Sequence, residues 1–390
     1  MKGDKKKAVE MYAELSTNSQ NIPLIHNNYV NTLLDLGMYK EAEDYLKKIS
    51  RRDPNNLQYK LDQGILHTRA GEVNKADKYF KDLIQENKSS VQRIKMLSDY
   101  LSSKSLGKYS ILALNESREF LGNSFLFCLD LAMLYRIQGE KDKMVREYLS
   151  YVTQNAGNLQ YVKNVMQALL TKPDELESLE RLLYDKVQQY PDTEVYADLL
   201  IWVTMQQKNF YASFIQARAF DKRYKNEGEK TMEVARVALD NNDYENAYKI
   251  YSYVIREFEN TPNQMLARLG LIRTREARIR NSFPVSKDSV RVLVKDYQNF
   301  IAQYPSNSNA LEATRNMALL YANYLDQKDD AVNTLENLVS NPRTSTYLKS
   351  KAKLDLGDIY LLKGEPGNRH CFTHKLKRRN EKIPSAMKQN

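Results

Sequence analysis

A fixed step of 34 residues constrains this chain more than any other feature. Gly3, Gly37, Gly71 and Gly139 are separated by 34, 34 and 68 positions, and Ala8, Ala42 and Ala76 keep the same interval. Such a period marks stacked structural units, because a short unit cannot bury its apolar face alone and needs its neighbours. In "LGMYKEAEDYLKKISRRDPNN" (36–56) the Gly closes a first helix by taking a left-handed conformation without Cβ strain. A second helix then sets Ala42 and Leu46 on one face, the small Ala letting a neighbouring helix approach closely. Pro54 ends that helix and fixes the turn into the next unit.

Composition agrees with a helical array. Only 13 Gly and 10 Pro are spread over 390 residues, and 42% of the chain is hydrophobic, ample for a core. The richest apolar stretch, "SFLFCLDLAMLYRI" (124–137), is interrupted by Arg136 and is too short to span a bilayer; it reads as a core helix. No apolar segment follows the charged start "MKGDKKKAVEMY", so no secretion signal is read. Two cysteines, Cys128 and Cys371, define no disulfide framework.

The units resemble the tetratricopeptide repeat family. Gly64, Gly71, Ala76 and Phe80 in "GILHTRAGEVNKADKYF", and Ala247 and Tyr251 in "NNDYENAYKIYSYVI", carry the resemblance. It is strong at 1–90, 125–154 and 228–258 and weaker at 91–124 and 159–223. In the weaker units Ser105 and Lys208 stand where the turn Gly is expected, with Gly107 displaced by two residues, and longer or bent joints are expected there. The resemblance implies an all-α, right-handed superhelical solenoid of antiparallel A and B helices, with about nine full pairs and a half-repeat at each end. Three segments are expected: 1–258 with mostly 34-residue units, 259–366 with longer helices, and a basic tail at 367–390.

A search for catalytic patterns returns none of the common ones: no phosphate-cradling Gly-rich loop, no Gly-x-Ser-x-Gly elbow and no His-Glu-x-x-His pair. His26 and His67 fall on separate A helices and read as core or surface residues, and Cys128 reads as a buried structural thiol. The one metal-like cluster, His370, Cys371 and His374 in "HCFTH", lies in the tail. The chain is therefore expected to be non-catalytic, with no cofactor and no metal.

Net charge is +10, but the tail from Gly367 to Asn390 holds seven Lys and Arg against Glu381 and accounts for +6, leaving +4 for the repeats. That is no footprint for nucleic acid. Arg268, Arg273, Arg275, Arg278 and Arg280 on one long helix form either a solvated face or a patch for an acidic partner.

The family resemblance implies binding of a protein or peptide in a concave groove lined by A helices. Carrying the groove register along the chain marks Asn27 and Asn31, then Leu61, Ile65 and Arg69, then Leu129 and Met133. Lys163 and Gln167, Asp198 and Trp202, and Met232 and Arg236 follow, with Arg273 and Arg280 added from the arginine helix. Trp202, the sole Trp, is either a groove hot spot or a core residue. The family's carboxylate-clamping subclass is disfavoured, since Asn27 stands in place of its Lys and Asp62 in place of its next Asn. A second reading makes the chain a helical component of a bacterial envelope assembly or secretion complex, because "QYPSNSNALEA" looks like turns of outer-membrane assembly lipoproteins. Partner identity and oligomeric state are not legible. Compartment is open as well: cytoplasmic if the N-terminus is native, periplasmic or envelope-associated if a segment precedes it.

Both ends read as cut. "GDKKKAVEMYAEL" is a B helix without its A helix, and Gly364 should launch a B helix where "EPGNRHCFTHKLKRRNEKIPSAMKQN" follows. One base lost in the codon of Pro366 would account for the change, making 367–390 a foreign, disordered tail; the alternative is a native basic tail with an acidic partner.

Overall fold

The computed structural model describes residues 4–364. Among them are twenty α-helices, the number that nine pairs and two halves require. They divide into two compact units, one ending at Leu169 and the other beginning at Leu170. The first holds α1 (Lys5–Leu15), α2 (Ile22–Asp35), α3 (Tyr39–Arg52), α4 (Leu57–Arg69), α5 (Val73–Asn87), α6 (Val91–Ser103), α7 (Gly107–Phe120), α8 (Cys128–Gln138), α9 (Lys141–Gln154) and α10 (Leu159–Leu169). The second holds α11 (Pro173–Gln189), α12 (Glu194–Gln206), α13 (Phe210–Tyr224), α14 (Glu229–Asp240), α15 (Tyr244–Glu257), α16 (Pro262–Arg280), α17 (Lys287–Gln303), α18 (Ser308–Tyr324), α19 (Lys328–Ser340) and α20 (Thr346–Leu362). The tail at 367–390, with His370, Cys371 and His374, lies outside the described residues.

The joints explain the period. At Gly37, Gly71 and Gly139 the backbone is left-handed, and Ser105, Lys208 and Asn242 take the same conformation at the equivalent position. Each of these residues bonds back three positions (Gly37 N to Leu34 O, Ser105 N to Ser102 O, Lys208 N to Met205 O), and the next residue bonds back five (Met38 N to Leu33 O, Leu106 N to Leu101 O, Asn209 N to Thr204 O). That pair of bonds is the Schellman closure, which satisfies carbonyls left open at a helix end. The expectation of longer or bent joints at Ser105 and Lys208 is therefore corrected: the hydrogen bonds hold the turn, and the non-glycine residue tolerates the strain. Gly107 is simply the first residue of α7.

Small residues set how closely helices meet. Ala42, Ala76 and Ala247 are buried. Gly64 on α4 lies against the ring of Phe80 on α5, and Gly270 on α16 against Tyr251 on α15; a Cβ at either glycine would come closer than 3.0 Å to ring carbons. The core of the second unit passes from hairpin to hairpin, one cluster joining α12 to α16, the next α16 to α18, the last α18 to α20. Such relayed burial is what makes single units dependent on their neighbours. With these hairpins, joints and small–aromatic contacts, the fold is all-α and tetratricopeptide-like. Among the described residues no helix is long and apolar enough to cross a membrane.

Several buried polar groups are paired across helices. In the first unit His26 Nε2 lies 2.8 Å from Asp62 Oδ2, His26 Nδ1 lies 3.3 Å from the Tyr45 hydroxyl, and the Tyr100 hydroxyl donates to Asp62 Oδ1 at 2.7 Å. This network ties α2, α3, α4 and α6 together. Arg118 on α7 forms a two-bonded pair with Glu147 on α9 at 2.9 and 2.8 Å, and its Nε also donates to the Leu126 carbonyl at 2.9 Å. Cys128 is buried beside this pair, and burial pushes its thiol up to about 11, so it stays protonated and inert. His67 is buried as well, with Nδ1 2.7 Å from Glu72 Oε2, so His26, His67 and Cys128 all read as structural.

Candidate functional site

The candidate cavity lies in the second unit. There α14, α16 and α18 line a cavity of about 590 Å3. Its apolar floor consists of Met232, Leu239, Leu266, Leu269, Gly270 and Tyr251; its polar rim consists of Glu229, Arg236, Asp240, Asn263, Arg273 and Asn309.

Helix geometry puts these groups there. Glu229, Met232, Arg236 and Asp240 fall at positions i, i+3, i+7 and i+11 of α14 and so share one stripe. The start of that stripe is fixed by Asp221, a buried carboxylate at the end of α13. It accepts from the Lys230 and Thr231 amides at 3.1 and 2.9 Å and from the Thr231 hydroxyl at 2.6 Å. Burial raises the Asp221 pKa, while these donors and the Lys230 charge pull it down. On α16 the same stripe recurs one repeat later, since Asn263, Leu266, Gly270 and Arg273 lie 34 positions after Glu229, Met232, Arg236 and Leu239. Because Gly270 has no side chain, Tyr251 can lie against α16 at the cavity floor. Tyr251 is only 2% exposed, and its pKa is pushed up to about 12, chiefly by burial.

The rim is of mixed charge. Arg273 reaches Glu312 of α18 at 3.4 Å, and Asn263 donates to the Glu227 carbonyl at 3.1 Å. Arg236 and Asp240 have no ion-pair partner within 4.0 Å among the described residues. Among the described residues, likewise, no three His, Cys, Asp or Glu side chains gather as a metal site.

The structure sends the residues marked from the sequence to different places. Met232, Arg236 and Arg273 come together in the cavity just described. Asn27, Asn31 and Arg69 lie at the surface of the first unit but are engaged within the fold. Gln58 donates to Asn27, Lys104 donates to Asn31 at 3.2 Å, and Arg69 donates to Asp35 at 2.9 Å. Met133 is 58% exposed and, with Leu129 and Ile137, makes an apolar stripe along α8. Arg280 pairs with Glu276 on its own helix. Two positions are corrected, since Leu61 and Ile65 are 2% and 7% exposed and belong to the core, and Trp202, 7% exposed, follows the core one of the two readings open to it. For Trp202 the reason is the sequence of α12, "EVYADLLIWVTMQ", which is buried along nearly all of its length. A helix apolar on all sides has no groove face to offer.

The arginine helix is not a bare cationic stripe. Arg273, Arg275 and Arg280 are met by Glu312, Asp296 and Glu276 respectively. Sequence reasoning missed Asn263, Leu266 and Gly270, although adding one more step of 34 to Glu229, Met232 and Arg236 reaches them. Asn309 was beyond that arithmetic, because the step breaks after α16.

No protein-family model and no curated protein matches the chain. Solved structures that resemble it include BtubC from P. vanneervenii, at 12% identity over 56% of this chain and 94% of that one, with a TM-score of 0.34. A tetratricopeptide repeat protein from Parabacteroides merdae has 13% identity over 86% and 99% of the two chains, with a TM-score of 0.28. Yeast Tom70 has 9% identity over 92% and 93%, with a TM-score of 0.34. The tetratricopeptide-like assignment rests on the joints and packing of this chain itself.

Proposed function

We propose that the chain acts as a non-catalytic scaffold that binds a protein partner, and that the groove on α14, α16 and α18 receives an extended segment of it. The observation that carries this reading is the open cavity itself. It pairs an apolar floor with a polar rim on which Arg236 and Asp240 have no ion-pair partner among the described residues, the combination that binding sites use for affinity and orientation. Leu266, exposed on that floor, supplies apolar area at its centre. By contrast, the corresponding surface in the first unit has its polar groups committed to one another.

The test is site-specific crosslinking. A photoreactive residue replacing Leu266 should yield a crosslinked partner in cells. Arg236→Glu should remove that product, whereas Arg280→Glu, whose parent residue is paired away from the cavity, should leave it intact. Equal crosslinking in both variants would sink the groove assignment.

A further inference from the structure

We infer that the groove selects a segment carrying both an acidic and a basic side chain, rather than a uniformly acidic or basic one. This inference rests on the groove reading given above and adds the chemistry of the occupant. Arg236 and Asp240 stand one helical turn apart on α14 and both face the cavity. Their Cβ atoms are therefore about 5–6 Å apart. They do not neutralise each other within 4.0 Å, and no other described residue pairs with either. An Arg placed N-terminal to an Asp at this spacing is the less favourable order for a helical ion pair. The cavity thus presents an open positive group and an open negative group at a fixed separation.

The remaining charges reinforce the bipolar pattern. Arg273 shares its charge with Glu312 at 3.4 Å, and Glu229 sits at the opposite end of the α14 stripe from Asp240. With acids and bases balanced along the rim, a segment of one sign would meet as much repulsion as attraction.

The experiment selects peptides of about twelve residues from a displayed random library on the full chain, and keeps as groove-specific those that fail on Leu266→Arg. Synthetic copies are then titrated by fluorescence polarisation. Groove-specific peptides should carry both an acid and a base. Arg236→Ala and Asp240→Ala should each weaken them by about tenfold or more, equivalent to about 1.4 kcal/mol, with melting curves unchanged because both residues are exposed. The doubly exchanged chain, Arg236→Asp with Asp240→Arg, should prefer peptides in which acid and base are interchanged. Groove-specific peptides of a single charge sign, or affinities untouched by both alanine variants, overturn this inference while leaving the groove reading standing. Recovery of no groove-specific peptide removes both.

Discussion

Replacing Gly270 by Ala tests how the groove floor is built. The substitution removes a helix-weakening glycine and so gains about 0.8–1 kcal/mol of helix propensity. Against this, the new Cβ would lie closer than 3.0 Å to the Cε1, Cζ and Cδ1 atoms of Tyr251, well inside the roughly 3.5–4.0 Å at which carbons pack. Tyr251 is 2% exposed and has little room to retreat, so the overpacking cost is about 1–3 kcal/mol. The sum is a variant destabilised by up to about 2 kcal/mol, despite a change that would stabilise an isolated helix. Urea unfolding followed by the fluorescence of Trp202, the sole Trp and a residue of the same unit, reports it. Tyr251→Leu shortens the opposing side chain, so the double variant should show a coupling of about 0.5–3 kcal/mol. Stabilisation of Gly270→Ala by about 1 kcal/mol, with the two effects additive, would refute the close-approach argument. Gly64 and Phe80 repeat the geometry in the first unit and should behave alike.

Other outcomes follow from the same packing. Ala42→Leu and Ala76→Leu should each cost about 1–3 kcal/mol by overpacking, seen as lower thermal midpoints; unchanged melting would put the repeat register in error. Trp202, being buried, should emit at short wavelength and resist iodide quenching, and a red-shifted, quenchable emission would contradict its place in the core. Glu147→Gln should cost about 1.5–3 kcal/mol because it removes the charge that faces the Arg118 guanidinium while leaving an amide oxygen to accept from it; a neutral result in chemical denaturation would show that the pair is solvated. Tyr251 holds its proton to about pH 12 in the folded state, against about 10 when unfolded. Its share of stability is complete below pH 10 and is lost as pH rises from 10 through 12, amounting to roughly 2–3 kcal/mol. Tyr251→Phe should flatten the alkaline limb of the stability profile by about that amount, and an identical limb would remove the linkage.

The sequence by itself determined the repeat, and through it most of the architecture. A step of 34 residues, small residues at Ala42 and Ala76 and turn glycines at 37, 71 and 139 are local, periodic facts, and hairpin formation depends on local backbone and packing preferences. Extending the period by one more unit from Glu229, Met232 and Arg236 would also have located half of the groove. What only the tertiary structure decided is which polar and apolar groups remain available. Ser105 and Lys208 look like broken joints in the sequence, yet the five-residue hydrogen bonds around them close the same turn as glycine does. Asn27, Asn31 and Arg69 have groove-like positions but are taken by Gln58, Lys104 and Asp35, residues 31, 73 and 34 positions distant. Trp202 occupies a groove register but lies on a helix that is enclosed on nearly all sides. Periodicity names the face of a helix. It cannot say whether a side chain on that face has already met a partner, because that depends on side chains brought together from other repeats.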